Sequence, residues 1–320
     1  MLQRIKYLAL GCALLTQASA WAAYPEKPVT IIVPFPGGQT GDIIARTVGE
    51  QLARKLGQPF IIENKAGAGG TLGTGYAARA QNDGYTLLLT STGPFAIAPS
   101  LYSRLTYKPL EDFAAVADIA ATPQIMAVGA QSGIQSVAQL VEAAKKGDLS
   151  YASAGNGSTQ HLTMEVFNDE TGIKMVHIPF KGSAEAQTQV IGGLIPATSD
   201  SLPAILPQIK ANKLRALAVL DNERSPFLPD LPTLHEQGYP AFSTVAFFGL
   251  LAPKGTDPRI IETLNTQVNE ILRAPEVAQR FQTLALTPAK PKTAQQFQDY
   301  LGGEVAKWTR IVNDAQVKLD

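Results

Sequence analysis

Three groups of residues could do chemistry at short range. His161 and Glu165 stand four apart in a helical stretch and could share one face. Ser153 and Ser158 occupy the loop just before that histidine, and glycines gather in "GAGGTLGTGYAA" and in "PFPGGQTGD". A zinc site needs a third protein ligand, and none stands at a suitable spacing. A serine hydrolase needs an oriented base and normally a G-x-S-x-G or S-x-x-K signature, both absent here; Ser153 or Ser158 with His161 is the form it would take. Gly73 and Gly75 open a loose G-x-G-x-x-A ending at Ala78. The intervening "AGAGG" separates it from the preceding strand, and the nearest acid is Asp83 in a turn, so a dinucleotide fingerprint is not met. No P-loop motif occurs.

The chemistry left is anion binding by backbone. "VTIIVPFPGGQTGDIIA" and "LSYASAGNGSTQHLTM" each run from a β-rich stretch through small residues into a helix, about 120 positions apart. A helix N-terminus offers unpaired N–H groups and a partial positive charge, so it holds an anion without lysine or arginine. Thr90, Ser91 and Thr92 add hydroxyls at the end of another strand. Such junctions on two lobes would close on a ligand from both sides. As bare βα turns they would hold nothing.

The elements that must position these residues alternate. Strands are expected at Val29–Val33, Phe60–Glu63, Thr86–Thr90, Gln124–Gly129, Ser150–Ser153, Met175–Pro179 and Arg215–Leu220. Helices are expected at Thr40–Leu56, Ser136–Lys146, Ser158–Thr171, Ser183–Gly192, Pro258–Arg273 and Thr293–Val317, the last carrying Trp308 among charged residues. This alternation predicts α/β lobes with mostly parallel sheets and ligands beyond the carboxyl ends of the strands. Asp221–Gly238 is a proline-rich crossing, after which the chain is expected to return to the first lobe.

Composition narrows the function classes. The chain has 320 residues, 45% hydrophobic and 17% charged, enough for two lobes. Basic and acidic residues number 27 each, with no dense basic run to attract nucleic acid. The N-terminus reads as a signal peptide: Arg4 and Lys6, an apolar run from Tyr7 to Leu15 too short to span a bilayer, and Ala-x-Ala sites ending at Ala20 and Ala22. Cleavage would remove Cys12, the only cysteine, and leave 25 basic against 27 acidic residues, a net charge of −2.

Along the mature chain, "YPEKPVTIIVPFPGGQTGDIIAR", "LGQPFIIENKAGAGGTLGT", "DGYTLLLTS", "YASAGNGSTQHL", "IPFKGSAEA", "DSLPAILPQIKANKLRALAV", "SPFLPDLPTLHEQGYP" and "FFGLLAPKGT" occur in order. Together they resemble the periplasmic receptors of tripartite tricarboxylate transporters, the Bug-type or TctC-like family. The resemblance implies an α/β, two-lobed periplasmic-binding-protein fold of the second type with the ligand in the cleft. Its segments would be a signal peptide over 1–22, a first lobe of 23–123 plus 246–320 and a second of 124–245. It implies a non-enzymatic, monomeric receptor in the periplasm, without a cofactor, that takes a small aliphatic or aromatic carboxylate. Its partners would be the large and small membrane subunits of the transporter, not nucleic acid; a signalling protein in place of the transporter is the alternative.

Carried over by position, the first-lobe site is Phe35, Pro36, Gly37, Gly38, Gln39, Thr40 and Asp42 with Thr90 and Ser91, Asp42 also reading as a structural early-helix acid. The second-lobe site is Ser153, Gly155, Ser158, Thr159, His161, Pro179, Lys181, Gly182 and Asp200. Two departures stand out. Gln39 occupies the position of the family's second loop glycine, bringing a side-chain amide where backbone is usual. Thr198 and Ser199 precede Asp200 where a bulky residue is common. A Ser199 facing the cleft would leave a roomier pocket, in which Phe35, Phe180, Phe247 and Phe248 would favour an aromatic acid.

Overall fold

The computed structural model describes residues 24–240 and 242–314. The leader, Cys12 and the end of the last expected helix lie outside these residues. The first sheet begins with β1 (Val29–Val33), β2 (Phe60–Asn64) and β3 (Thr86–Ser91), linked through helices α1 (Thr40–Leu56) and α2 (Thr71–Ala78). After a π-type turn at Gly93–Ile97, β4 (Phe113–Thr122) runs through Pro123 straight into β5 (Gln124–Gly129) of the second sheet. That sheet continues through α3 (Val137–Lys146), β6 (Ser150–Ser153), α4 (Thr159–Thr171), β7 (Val176–Pro179) and α5 (Ser183–Ile191). It ends with β8 (Ala197–Ser201), α6 (Leu202–Lys210) and β9 (Leu214–Leu220). The chain then returns as β10 (Ala246–Pro253), followed by α7 (Pro258–Arg273), α8 (Pro275–Thr283), β11 (Thr287–Pro288) and α9 (Ala294–Asp314).

The strand orders are β11-β4-β10-β3-β1-β2 and β7-β6-β8-β5-β9. Neither sheet is mostly parallel, which corrects the expectation. The short edge strand β11 runs against β4, and in each sheet one interior strand runs opposite to the other long strands: β10 between β3 and β4, and β5 between β8 and β9. Both are strands that arrive from the other sheet. A chain entering from the cleft must run away from it, whereas β1, β3, β4, β6, β8 and β9 all run towards it. The carboxyl ends therefore still gather where the two sheets face each other.

Helices cover both faces of each sheet. Val29, Ile31 and Val33 of β1 pack against Ile44, Val48 and Leu52 of α1 and Leu264 and Val268 of α7, while Ile32 joins Leu88, Leu251 and the aromatic group of α9 on the opposite face. The period of two in β1 and of 3.6 in α1 produces this division. In the second sheet, Met126 and Tyr151 face α3 and α4, and Ile125 and Ala152 face α5 and α6. The C-terminal helix belongs to the first sheet: Trp308 and Phe297 are fully buried, and Phe297 stands edge-on to Phe247 at 6.5 Å and stacks on Tyr300 at 6.3 Å. Phe297→Ala should cost about 3–5 kcal/mol of unfolding free energy, measured as a lower urea midpoint; an unchanged midpoint would show that α9 is not part of the first lobe's core.

Candidate functional site

Four helix N-termini converge between the sheets. Thr40 begins α1, Thr159 begins α4, Ser183 begins α5, and Ser201 precedes α6. All four line one small cavity of about 30 Å³, together with Phe35, Gln39, Gly41, Ser91, Gln124, Gln160, Ala246 and Phe248. None of these side chains carries a charge. Positive potential there comes from helix ends, each equivalent to roughly half an elementary charge. The starts of α1 and α5 receive no side-chain capping bond, which leaves their first amides open to another acceptor, whereas at the start of α6 the Leu202 amide donates to the Pro123 carbonyl at 3.1 Å and Pro203 has no N–H. At α4, Ser158 caps the helix and its Oγ accepts from the His161 amide at 3.3 Å.

The lobes touch around this cavity. The hydroxyls of Thr40 and Ser201 are hydrogen-bonded at 2.9 Å, joining the start of α1 to the end of β8. On another side, Tyr102 donates to the Asn156 carbonyl at 3.2 Å. Gly69, at φ +62°, lies so close that a Cβ there would stand 2.1 Å from the Asn156 oxygen. Only glycine meets both demands. Gln124 and Ala246, the first residues after the two crossings, form the wall where the chain passes between sheets.

Asp200 holds the second-lobe wall without lining the cavity. It is 1% exposed. Its Oδ1 accepts from Gln160 Nε2 at 2.9 Å, Ser183 Oγ at 3.0 Å and the Ser201 amide at 2.8 Å, and its Oδ2 accepts from Gln187 Nε2 at 2.8 Å. Burial pushes its pKa up, and these donors oppose the rise. Asp42 does similar work in the first lobe: it accepts from the Gly38 amide at 2.9 Å, Arg46 Nε at 3.0 Å and Asn64 Nδ2 at 3.0 Å. Burial raises its pKa, but the bonds from Arg46, Gly38 and Asn64 outweigh that and hold it below the usual value.

The other positions named from sequence separate. Phe35, Gln39, Thr40, Ser91 and Thr159 line the inner cavity, whereas Pro36, Gly37, Gly38, Lys181 and Gly182 line an outer cavity of about 480 Å³. Gly155, Pro179 and Phe180 border a third, more open one. Thr90 is buried on β3 beside Gly249 of β10, and its hydroxyl has no partner. Ser199 does not open the cavity: its Oγ donates to the Gln160 carbonyl at 3.0 Å, one pleat deeper than Ser201 and beneath the first turn of α4. Phe247 belongs to the first lobe's core, which leaves Phe35 and Phe248 as the aromatic walls. Gln124, Gln160, Ser183 and Ser201 join the inner wall without a motif in the linear chain that points to them. Ser183 at an expected helix start was the one legible signal.

Ser153 and His161 form part of a buried polar cluster. Ser153 Oγ is hydrogen-bonded to His177 Nε2 at 2.6 Å, not to His161, and Ser153 has no exposed surface. His161 stacks on His177 at 3.8 Å, and its Nδ1 accepts from the Gly157 amide at 3.2 Å. Tyr151 stacks on His177 and donates to Glu165. Burial, with the neighbouring His177, lowers the His161 pKa to about 3, and burial lowers that of His177 to about 4. Both rings are neutral near pH 7. Among the described residues, no group of three or more His, Cys, Asp and Glu side chains is placed to hold a metal ion.

On acidification the unfolded chain protonates these histidines first, near their ordinary pKa of about 6.5. Their contribution is complete above that value and declines as pH falls towards about 3. The raised Asp200 acts with the opposite sign, so the test is a difference: His161→Gln should show a shallower loss of melting temperature between pH 7 and 4 than the native protein. Equal slopes would mean that His161 titrates normally. Asp200→Ala should lower unfolding free energy by about 2–4 kcal/mol, because four donors lose their acceptor; equilibrium denaturation measures this.

Residues 44–317 match the family described as tripartite tricarboxylate transporter family receptor. The chain is 38% identical to Protein BugT of Bordetella pertussis (strain Tohama I) over 299 residues, 92% of this chain and 91% of that one. Among solved structures, R. palustris Rpa4515 with adipate superposes with a TM-score of 0.89 at 33% identity, covering 92% of this chain and all of that one. The periplasmic binding protein BugD superposes at 0.87 with 34% identity, again over 92% of this chain and all of that one. The two facing α/β sheets are thus the two lobes of a periplasmic-binding-protein fold, and the chain belongs to the tripartite tricarboxylate transporter receptor family of solute-binding proteins.

Proposed function

We propose that this protein is a periplasmic receptor that captures a small carboxylate by closing two lobes, 23–123 with 246–320 and 124–245, around it. One observation carries the reading: four helix N-termini and neutral donors converge on a small cavity between the lobes with no cationic side chain in its wall. A buried anion must have each oxygen met by a donor. The hydroxyls of Ser91 and Thr159 and the open amides at the starts of α1 and α5 are donors of that kind, and the Thr40–Ser201 hydroxyl pair can exchange its mutual bond for one to the ligand. A neutral cradle also lets the ligand go again, which suits capture and delivery to the large and small membrane subunits of a transporter. The adipate held by a protein of the same fold supports the carboxylate class. The small volume favours an aliphatic end group, while Phe35 and Phe248 would flank an aromatic one. The complete burial of Ser153 speaks against a hydrolase built on it. A signal peptide over 1–22 accounts for export, and no cofactor or nucleic acid enters the mechanism.

Closure is a population shift: a ligand touching both lobes favours the closed state by its differential affinity. A thermal-shift screen of the protein from Ala23 onward should register aliphatic or aromatic acids, since ligand at 100 times its Kd stabilises by about 2.7 kcal/mol. Nucleotides should give no shift. Ser91→Ala and Ser201→Ala should each weaken the best acid about tenfold or more by calorimetry, the loss expected for a hydrogen bond to a charged group. Unchanged affinity in both variants would move the ligand elsewhere, and a response to nucleotides alone would overturn the reading.

A further inference from the structure

Gln39 stands between two spaces. The inner cavity is about 30 Å³, roughly the room of two water molecules. The outer cavity is about 480 Å³, and its wall includes Pro36, Gly38, Lys181 and Gln187. Gln39 and Ser183 belong to both walls. Although Gln39 precedes α1, its side chain makes no capping bond, so the helix start does not explain its position. Its Nε2 is buried without a hydrogen-bond partner. It lies against the second lobe so closely that a Cβ on Gly182 would stand 2.2 Å from it. Gly182 has extended backbone at φ 176°, open to any residue, so what a Cβ there would displace is the Gln39 amide, with Pro36 next at 3.2 Å. Elsewhere in the inner wall, Gln124 is 1% exposed and its Oε1 also lacks a partner. An unpaired donor and an unpaired acceptor in one small enclosure mark it as built for a polar group.

We propose that Gln39 is the length gauge of the cleft. The inner cavity receives the carboxylate end of the ligand, the Gln39 amide donates to it, and the same side chain, wedged on Gly182, bars the rest of a long chain from the outer cavity. Short acids are therefore held and long ones rejected. This rests on the cleft being a carboxylate site. With Gln39 replaced by glycine the two spaces join, and a longer diacid extends towards Lys181, which supplies a cation for its second carboxylate.

The test is calorimetry with succinate, adipate and suberate on the native protein, Gln39→Gly, Gln39→Ala, Gly182→Ala and the Gln39→Gly/Gly182→Ala double variant. Glycine is tolerated at a helix start, and Gln39→Ala keeps the test open if Gln39→Gly fails to fold. Native affinity should fall tenfold or more from succinate to suberate. Either Gln39 variant should weaken succinate and strengthen suberate, reversing or levelling the series. Gly182→Ala should weaken succinate tenfold or more in the native background and little once Gln39 is gone, a coupling that only direct contact produces. Suberate bound as well as succinate by the native protein, or one common factor for all three acids in the Gln39 variants, would overturn the gauge while leaving the receptor. Failure of every acid, across these and the wider panel, would remove the carboxylate reading and the gauge with it.

Discussion

The carboxylate of Asp200 is out of water and has to collect donors. It draws them from four places: the first turn of α4 through Gln160, the start of α5 through Ser183, the second turn of α5 through Gln187, and the end of β8 through the Ser201 amide. One buried acceptor thereby sets the mutual position of three helix starts. Because Ser201 also meets Thr40 of the first lobe, the network reaches the contact that closes the cleft. A substitution at Asp200 acts on geometry across the whole wall, although its own oxygens face away from the cavity.

That geometry is the physical basis of the anion site proposed above, which has no cation in its wall. Strands running towards the cleft hand the chain to helices whose amide ends then point back into it. The reversed interior strands, β5 in one sheet and β10 in the other, are the cost of passing the chain between lobes twice. Those strands bring Gln124 and Ala246 to the cavity's edge. A fixed ammonium would bind an acid more strongly and release it less readily. On the proposed mechanism, neutral donors spread over two lobes make affinity depend on closure, so that opening the cleft would dismantle the site.

The cluster of Ser153, His177, His161, Tyr151 and Glu165 is a different use of polar groups. It sits behind β6 and α4 and joins the strand bearing Ser153 to the edge strand bearing His177. Stacked neutral rings and a hydroxyl bond tie that edge in place. Ser153, His161 and Glu165, the residue types that suggest chemistry in the linear chain, thus meet inside the second lobe, while the polar residues lining the inner cavity are serines, threonines and glutamines of ordinary appearance.

The amino-acid sequence by itself determined the local elements, because helix and strand periods, glycine turns and capping residues are local quantities. Ser136 and Ser158 cap α3 and α4 where an N-terminal serine was legible, and both βα junctions formed with Thr40 and Thr159 at their helix starts. The order of its motifs also carried the family. It did not show β4, β8 or β10, whose runs of small and apolar residues are strands only because other strands flank them. Tertiary structure alone decided which hydroxyls meet the cavity. Ser199 and Ser201 have the same chemistry and share a face of β8, but one lies under α4 and the other at the strand end. Tertiary structure likewise set Gln39 against Gly182, 143 positions later in the chain. Contacts of that range depend on how two lobes pack, and no local pattern encodes them.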